Sequence, residues 1–440
     1  MTTQSWGFST RQIHAGHQSD PVTGATTLPI YQANAYEFPS AEEAAARFSL
    51  DSLGPIYTRL GNPTSNALEA RLADLEGGVG ALLTSSGHAA QALAFLTLAN
   101  TGASIVVSPH LYGGTSNQLR HSFRKLGIEA RFVTNPRNRQ EWIDLADDTT
   151  VAFFGETIAN PSGHVLDIET VAEAADEVGV PLIVDNTVAT PYLCRPIEWG
   201  ASIVVHSATK YLGGHGNSMA GVIVDAGTFD YSKHPERFPD FNQPDPSYHG
   251  LVYARDLGAD GAFGQNLSFI LKARLQGQRD FGFSPSPFNA FLIEQGIQTL
   301  SLRMERHVEN ANQVAQFLAG HPAVTQVHYP GLETSPFADL AQKYTPRGAS
   351  SLLSFDLDGG VEAGREFVAA LKLFAFVANL GDTRSLAIHP ASTTHSQLSK
   401  EQLVAAGVGE GTIRLSVGIE DATDLIADLD QALAAVGGKK

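Results

Sequence analysis

Short apolar runs recur through the first half of the chain, at Ala81 to Leu83, Ser104 to Val107, Ala130 to Val133, Val151 to Phe154, Leu182 to Val184, Ile203 to Val205 and Val222 to Val224. Most are separated by helix-length segments. Such runs predict a mostly parallel sheet covered on both faces, with ligands gathering at the carboxyl ends of its strands. A helix is predicted from Thr64, which can cap it, with Leu68, Leu72 and Leu75 on one face and Gly77-Gly78 at its end. Before it, Pro, Gly, Tyr and Thr are scattered with weak periodicity, which predicts an extended arm that needs a surface to lie on. From about Phe229 to Pro287 the periodicity breaks again, and a long insertion is expected. A long helix should then run from Phe288 towards Leu318, followed by strands at Leu352–Leu357 and Thr412 to Val417 and a last helix with Leu425, Leu429 and Leu433 on one face. The patterns divide the chain into an arm (1–60), a large α/β domain (61–287, with the insertion at about 229–287) and a smaller α+β domain (288–440).

A chain of 440 residues exceeds one ordinary core, in keeping with this division. Lys and Arg number 29 against 46 Asp and Glu, so the net charge is 29 − 46 = −17, which repels nucleic acid and anionic membrane surfaces. No apolar run approaches the roughly 20 residues of a membrane span, and the segment Met1-Thr2-Thr3-Gln4-Ser5-Trp6-Gly7 has no signal-peptide pattern. The single cysteine, Cys194, cannot form an internal disulfide and is expected to be a small packed side chain. A cytoplasmic location is expected. There is no internal repeat, heptad array or low-complexity tail.

Polar residues follow three of the apolar runs. Val151 to Phe154 leads to Glu156 and Asn160-Pro161, Leu182 to Val184 to Asp185-Asn186-Thr187, and Ile203 to Val205 to Ser207, Thr209 and Lys210. An amine at a strand end beside two hydroxyls suits a Schiff base with an aldehyde cofactor carrying a phosphate, for which pyridoxal phosphate is the obvious candidate. A surface lysine closing a strand fits that segment equally well. Asp185 could pair with a pyridine nitrogen, or it could be a simple cap or turn residue. Gly87 and His88 open a helix running towards Leu98, so their amides could face a phosphate; ordinary capping gives the same pattern. Tyr112 could stack on a flat ring or fill a core gap. Arg414 alternates with Ile413 and Leu415, and it is either solvated or placed to grip a carboxylate. No Walker loop, G-x-G-x-x-G after a strand, H-E-x-x-H or paired C-x-x-C is present, so nucleotide and zinc readings lack their residues. No metal is expected, and His14, His17, His206 and His215 read as packing or surface histidines.

Together, Tyr57-Thr58-Arg59 followed by Asn62-Pro63-Thr64, Ser86-Gly87, Leu111-Tyr112-Gly113-Gly114-Thr115, Asp185-Asn186-Thr187 and Ser207-Ala208-Thr209-Lys210 resemble the Cys/Met metabolism family of pyridoxal phosphate enzymes. The resemblance covers almost the whole chain. It implies the α/β fold type I, aspartate aminotransferase-like, with a mostly parallel sheet in the large domain. It also implies roles: Lys210 holding the cofactor covalently, Tyr112 stacking on its ring and taking part in proton transfer, Asp185 at the pyridine nitrogen, and Gly87, His88, Ser207 and Thr209 at the phosphate. Tyr57 and Arg59 would reach the phosphate of a neighbouring subunit, making a homodimer the minimum unit and a tetramer the expected assembly. Asn160, Ser385 and Arg414 would meet the substrate's amino acid end.

The segment from Asn379 through Arg384, Ser385, His389 and His395 to Leu398 is similar to the O-acetylhomoserine sulfhydrylase branch, as are the chain's length and its insertion after Phe229. Gly114 stands where methionine γ-lyases tend to carry cysteine, and His88 where the family usually has methionine or glutamine. The implied reaction is γ-replacement, in which O-acetyl-L-homoserine and sulfide give L-homocysteine and acetate for methionine biosynthesis. Cystathionine γ-synthase and methionine γ-lyase are alternatives on the same scaffold. A non-catalytic binding protein keeping the fold is a remoter one, and it would be marked by loss of the lysine or the aspartate, both present here. The ester, acetyl or succinyl, and the sulfur donor, sulfide, methanethiol or a carrier-bound thiol, stay open at this point.

Overall fold

The computed structural model describes residues 6–50, 52, 54–394, 396 and 407–437. His395, Gln397 and Leu398 of the last motif, like residues 1–5, lie outside the described residues. The seven expected apolar runs form one seven-stranded sheet: β1 (Gly80–Thr84), β2 (Ser104–Val107), β3 (Glu129–Phe132), β4 (Thr150–Glu156), β5 (Leu182–Asp185), β6 (Ile203–Ser207) and β7 (Gly221–Asp225). Their order is β1-β7-β6-β5-β4-β2-β3. All neighbours are parallel except β7, which runs against both β1 and β6.

Both faces of this sheet are covered. Side chains alternate along a strand, so Phe153 and Val204 enter one buried cluster while Phe154, Ile203 and Val205 enter another. The first cluster continues into a second sheet made from β8 (Val324–His328), β9 (Leu352–Leu357), β10 (Ala375–Phe376), β11 (Leu386–Ile388) and β12 (Thr412–Ser416), ordered β10-β11-β12-β9-β8. The last helix, Ala422–Ala435, buries Leu425, Leu429 and Leu433 as expected. Among the described residues no helix is long and apolar enough to cross a membrane. Cys194 is buried, and burial pushes its thiol far up, so it packs rather than reacts.

The structure corrects four local expectations. The helix Pro63–Glu76 is capped by Asn62, whose side chain accepts from Thr64 N at 3.0 Å, with Pro63 at the first helical position. The Thr64 hydroxyl instead donates to Pro29 O at 2.7 Å and accepts from Tyr31 N at 2.9 Å, tying the incoming chain down. The long helix expected from Phe288 is two helices, Pro287–Ile297 and Leu300–Gly320. At the break, Arg303 donates to Gly296 O at 2.8 Å and to Tyr211 O at 2.7 Å, fastening the joint to the turn that follows Lys210. The insertion is not a loose connector: Tyr231, Phe238, Phe241, Tyr253 and Phe269 are buried in the second cluster, with Tyr231 and Phe241 stacked at 4.0 Å.

The fourth correction concerns the arm. It carries two helices, Phe8–His14 and Ala41–Ser49, and the first is docked on its own chain. Arg71 is the anchor. From inside the helix Pro63–Glu76 its guanidinium donates to Ile13 O and Ala15 O, both at 2.9 Å, and pairs with Glu294 at 2.5 Å, both side chains being buried. Removing one partner of such a pair strands a buried charge and costs about 3–5 kcal/mol. Arg71→Ala should therefore lower stability to chemical denaturation by about that amount. The double change Arg71→Met, Glu294→Met should recover part of the loss; a wild-type denaturation midpoint for Arg71→Ala would show that the arm is held by other contacts.

Candidate active site

The carboxyl ends of β4, β5 and β6 face a cavity of about 220 Å³, closed on its other side by the segment after β10 and by β12. Ser86, Gly87, His88, Gln91, Tyr112, Glu156, Asn160, Asp185, Ser207, Thr209, Lys210, Asn379 and Arg414 line it. Nine residues expected from the sequence are thus brought together. Tyr57 and Arg59 do not line the cavity of their own chain: Arg59 lies over the Tyr57 ring at 5.4 Å and donates to Arg279 O, and Tyr57 is 41 % exposed.

Two carboxyl groups sit side by side because β4 and β5 are parallel with Glu156 paired to Asp185. Asp185 accepts from Gln91 Nε2 at 2.7 Å and from Thr187 N at 2.9 Å. Gln91 is steadied in turn by the Thr115 hydroxyl at 3.0 Å. Glu156 accepts from Tyr112 N at 2.5 Å. Burial first, and the nearby Asp185 second, push the Glu156 carboxyl well above its ordinary value, while the backbone hydrogen bonds from Tyr112 and Asn160 act the other way.

Cationic groups come from opposite sides. Lys210 Nζ donates to Asn379 Oδ1 at 2.6 Å, while Arg414 donates to Asn379 O at 2.6 Å and approaches Asn160 Oδ1 at 3.5 Å. Burial, then Arg414, pushes the Lys210 ammonium down to about 8. Burial likewise pushes Arg414 down to about 10, and its Nε is buried without a hydrogen-bond partner. A buried guanidinium N–H left unpaired is costly, and a ligand carboxylate is the group whose geometry satisfies it.

On the far wall, the helix Gly87–Leu98 starts against the end of β6. Ser86 caps it by accepting from Ala89 N at 3.1 Å, which leaves the amides of Gly87 and His88 with no partner inside the helix. A Cβ on Gly87 would stand 2.6 Å from the Ser207 Cβ, so only glycine permits this approach. Orphan amides at a helix start, beside the Ser207 side chain, form an anion cradle. The Thr209 hydroxyl is partly engaged, donating to Ala220 O at 3.2 Å. Tyr112 stands at the mouth, 47 % exposed, with its ring edge-on to His88. The donor set therefore fits a flat ring with a phosphate at one end, and an α-amino acid carboxylate at Arg414.

Ser385 corrects the sequence expectation. It is fully buried outside the cavity, its hydroxyl donating to Glu420 at 2.9 Å and accepting from Gly418 N at 2.8 Å. The reason is local, since Ser385 leads directly into the buried strand β11 and turns inward with it. Asn379, six residues earlier, occupies the cavity instead. Gln91 was missed as a site residue, and Glu156, noted at a strand end, was given no role. Each had a signal: Gln91 lies one helical turn beyond Gly87 on the same face, and Glu156 ends the strand beside that of Asp185. His206, read as a packing residue, is fully buried with Nε2 2.6 Å from Glu76, and Glu76 accepts from Asn186 at 2.9 Å behind Asp185. Among the described residues no group of three or more His, Cys, Asp or Glu could hold a metal ion.

The chain is 50% identical over 434 residues to an O-acetyl-L-homoserine sulfhydrylase of Corynebacterium glutamicum, covering 98% of both chains. It is 49% identical over 425 residues to the enzyme of that name from Leptospira meyeri, covering 96% of this chain and 95% of the other. Among solved structures, a Campylobacter jejuni protein assigned as an O-acetylhomoserine (thiol)-lyase superposes with a TM-score of 0.92 at 40% identity, covering 98% of this chain and 100% of that one. That structure carries an N′-pyridoxyl-lysine-5′-monophosphate residue. The family model for Cys/Met metabolism PLP-dependent enzymes matches residues 9–434, and the chain belongs to that family.

Proposed function

We propose that the protein replaces the γ-acetoxy group of O-acetyl-L-homoserine with sulfide, giving L-homocysteine and acetate. The observation that carries this reading is the buried, unpartnered Arg414 Nε in the same cavity as Lys210, which suits an α-amino acid held at its carboxylate with its Cα near an amine. The names of the relatives supply the reaction. Pyridoxal phosphate bound here supplies an electron-withdrawing ring that stabilises negative charge at the substrate's Cα. Lys210 is its attachment point and moves the Cα proton, for which a lowered ammonium is suited. Asp185, held by Gln91 and Thr187, keeps a proton on the ring nitrogen. Gly87, His88, Ser207 and Thr209 receive the phosphate, and Tyr112 covers the ring. Arg414 grips the substrate carboxylate, with Asn160 and Asn379 beside it.

Residues 61–287 then carry the cofactor and 288–440 close over the substrate. Tyr57 and Arg59, which face away from their own cavity, complete the phosphate site of a neighbouring copy, so the working unit is a homodimer that assembles further into a tetramer. The acidic net charge and the absence of a candidate spanning helix among the described residues support a cytoplasmic enzyme.

Product analysis tests the reaction. With O-acetyl-L-homoserine, sulfide and L-cysteine at equal concentration, homocysteine should predominate by mass spectrometry; predominant cystathionine, or 2-oxobutyrate alone, would move the assignment to a synthase or lyase. Lys210→Ala should lose the absorbance of the lysine-linked cofactor and at least about 10³-fold in turnover. In the wild-type apoprotein, only the neutral amine can attack the aldehyde. The rate of reconstitution should therefore rise with pH through about 8 and level off above it, and a rise that continues towards the ordinary lysine range would contradict the lowered ammonium. Arg414→Ala should raise the KM for the amino acid about 10- to 100-fold, the loss expected for a charge-assisted hydrogen-bond pair. An unchanged KM would place the carboxylate elsewhere.

A further inference from the structure

Beside the cavity lies an open groove, and one side chain lines both spaces. His88 lines the cavity and also an open groove formed with Gly114, Asn117, Gln118, His121 and Ser122. Its ring is edge-on to Tyr112, with centroids 5.7 Å apart and planes at 61°. It lies directly over Gly114, where an added Cβ would stand 2.7 Å from both Cε1 and Nε2. Glycine at 114 thus makes the space that the imidazole fills.

Among the described residues, the one side-chain hydrogen bond at His88 goes to its carbonyl, from Gln118 Nε2 at 3.3 Å, so both ring nitrogens are free of protein partners. Gln118 also carries a buried Oε1 with no partner. The chain here leaves the short helix Gly113–Asn117 for a wider π-helical turn, Gln118–Phe123, a device frequent at functional sites. His88, with its unpartnered ring nitrogens, and Gln118 therefore share the wall of the groove next to the cavity.

The groups facing His88 leave it a distinct task. Within the cavity Lys210 serves the Cα proton, Asp185 is held by Gln91 and Thr187, and Glu156 receives Tyr112 N. Tyr112, Arg414 and, across the groove, His121 are the other titratable side chains on its walls. A thiol attacks as its thiolate and must give up a proton on the way in. Imidazole takes and releases protons in the neutral range.

Resting on the γ-replacement reading above, the geometry points to His88 as the base that takes the S–H proton of the incoming thiol, with the groove as the route by which thiol enters and proton leaves. The S–Cγ bond forms, and the Cγ–O bond breaks with its electron pair on acetate. The proton passes from sulfur to His88 and then to water in the groove, so no further reactant is needed. This role belongs to the imidazole, whereas the phosphate contact proposed above belongs to the backbone amide, which every substitution at 88 retains.

The test is a partition measured within each holoenzyme, which cancels differences in cofactor loading. Wild type, His88→Gln and His88→Ala are given O-acetyl-L-homoserine and methanethiol, an alkyl thiol that stays protonated through neutral pH. Thioether and 2-oxobutyrate are then quantified from about pH 6 to 9. In wild type the ratio of thioether to 2-oxobutyrate should rise through an inflection. Both variants should lose at least about tenfold in that ratio and lose the inflection, with the KM for thiol little changed. A glutamine variant that keeps the wild-type ratio and profile would reduce His88 to bulk and overturn the assignment. Wild-type protein that forms neither product would remove the γ-replacement reading itself, and the role of His88 with it.

Discussion

Two cations, the buried Arg414 and the half-buried Lys210, share one neutral amide in the cavity. Lys210 and Arg414 both donate to Asn379, one to its side chain and one to its carbonyl, and the asparagine carries no charge to offset theirs. Both are pushed below their ordinary values, to about 8 and about 10, chiefly by burial. In a chain of net charge −17, this local excess is conspicuous. Glu156 and Asp185 line the same cavity, with the Glu156 carboxyl pushed well above its ordinary value by burial and by Asp185. Such an arrangement suits anionic ligands, and the function proposed above puts a phosphate at the orphan amides of Gly87 and His88 and a carboxylate at Arg414.

That excess arises where the two sheets meet at the cavity. The large sheet contributes groups by register: β4, β5 and β6 are parallel, Glu156 is level with Asp185, and Ser207 lies two residues past Val205, the partner of Asp185. The helix that starts at Gly87 comes up against Ser207 only because no Cβ intervenes. The small sheet contributes Arg414 from the middle of β12 and Asn379 from the segment between β10 and β11. Neither set makes a site alone, since Lys210 has its hydrogen-bond partner only across the divide.

Much of this was legible from the chain itself. Most of the apolar runs became strands buried on both faces, which removes the alternation and leaves a continuous run, while β3 at the sheet's edge stays partly exposed. Lys210 and Asp185 could be found because they sit at the ends of such runs. The misses share a different cause, namely competition between chemically equivalent residues. Asn62 and Thr64 can both cap a helix, and Pro63 decides for Asn62 by taking the first helical position. Ser385 and Asn379 are both polar residues near β11, and only packing against Glu420 and Gly418 shows which of them faces inward. The insertion concealed its own core because its aromatic residues are spaced for no single period; Tyr231 and Phe241 meet by folding back rather than by repeat.

Arg414 shows how affinity and domain arrangement become one quantity here. Its guanidinium rests on Asn379 of the same sheet and only weakly on Asn160 of the large one, at 3.5 Å, and the Nε has no partner at all. A carboxylate that occupies the empty Nε and draws Asn160 closer strengthens the contact between the two sheets as it binds. The free energy of that tightening comes from the substrate, so a ligand without a carboxylate can fill the cavity and still leave Arg414 unsatisfied. On the function proposed above, the unpaired N–H group of Arg414 is what a carboxylate would satisfy.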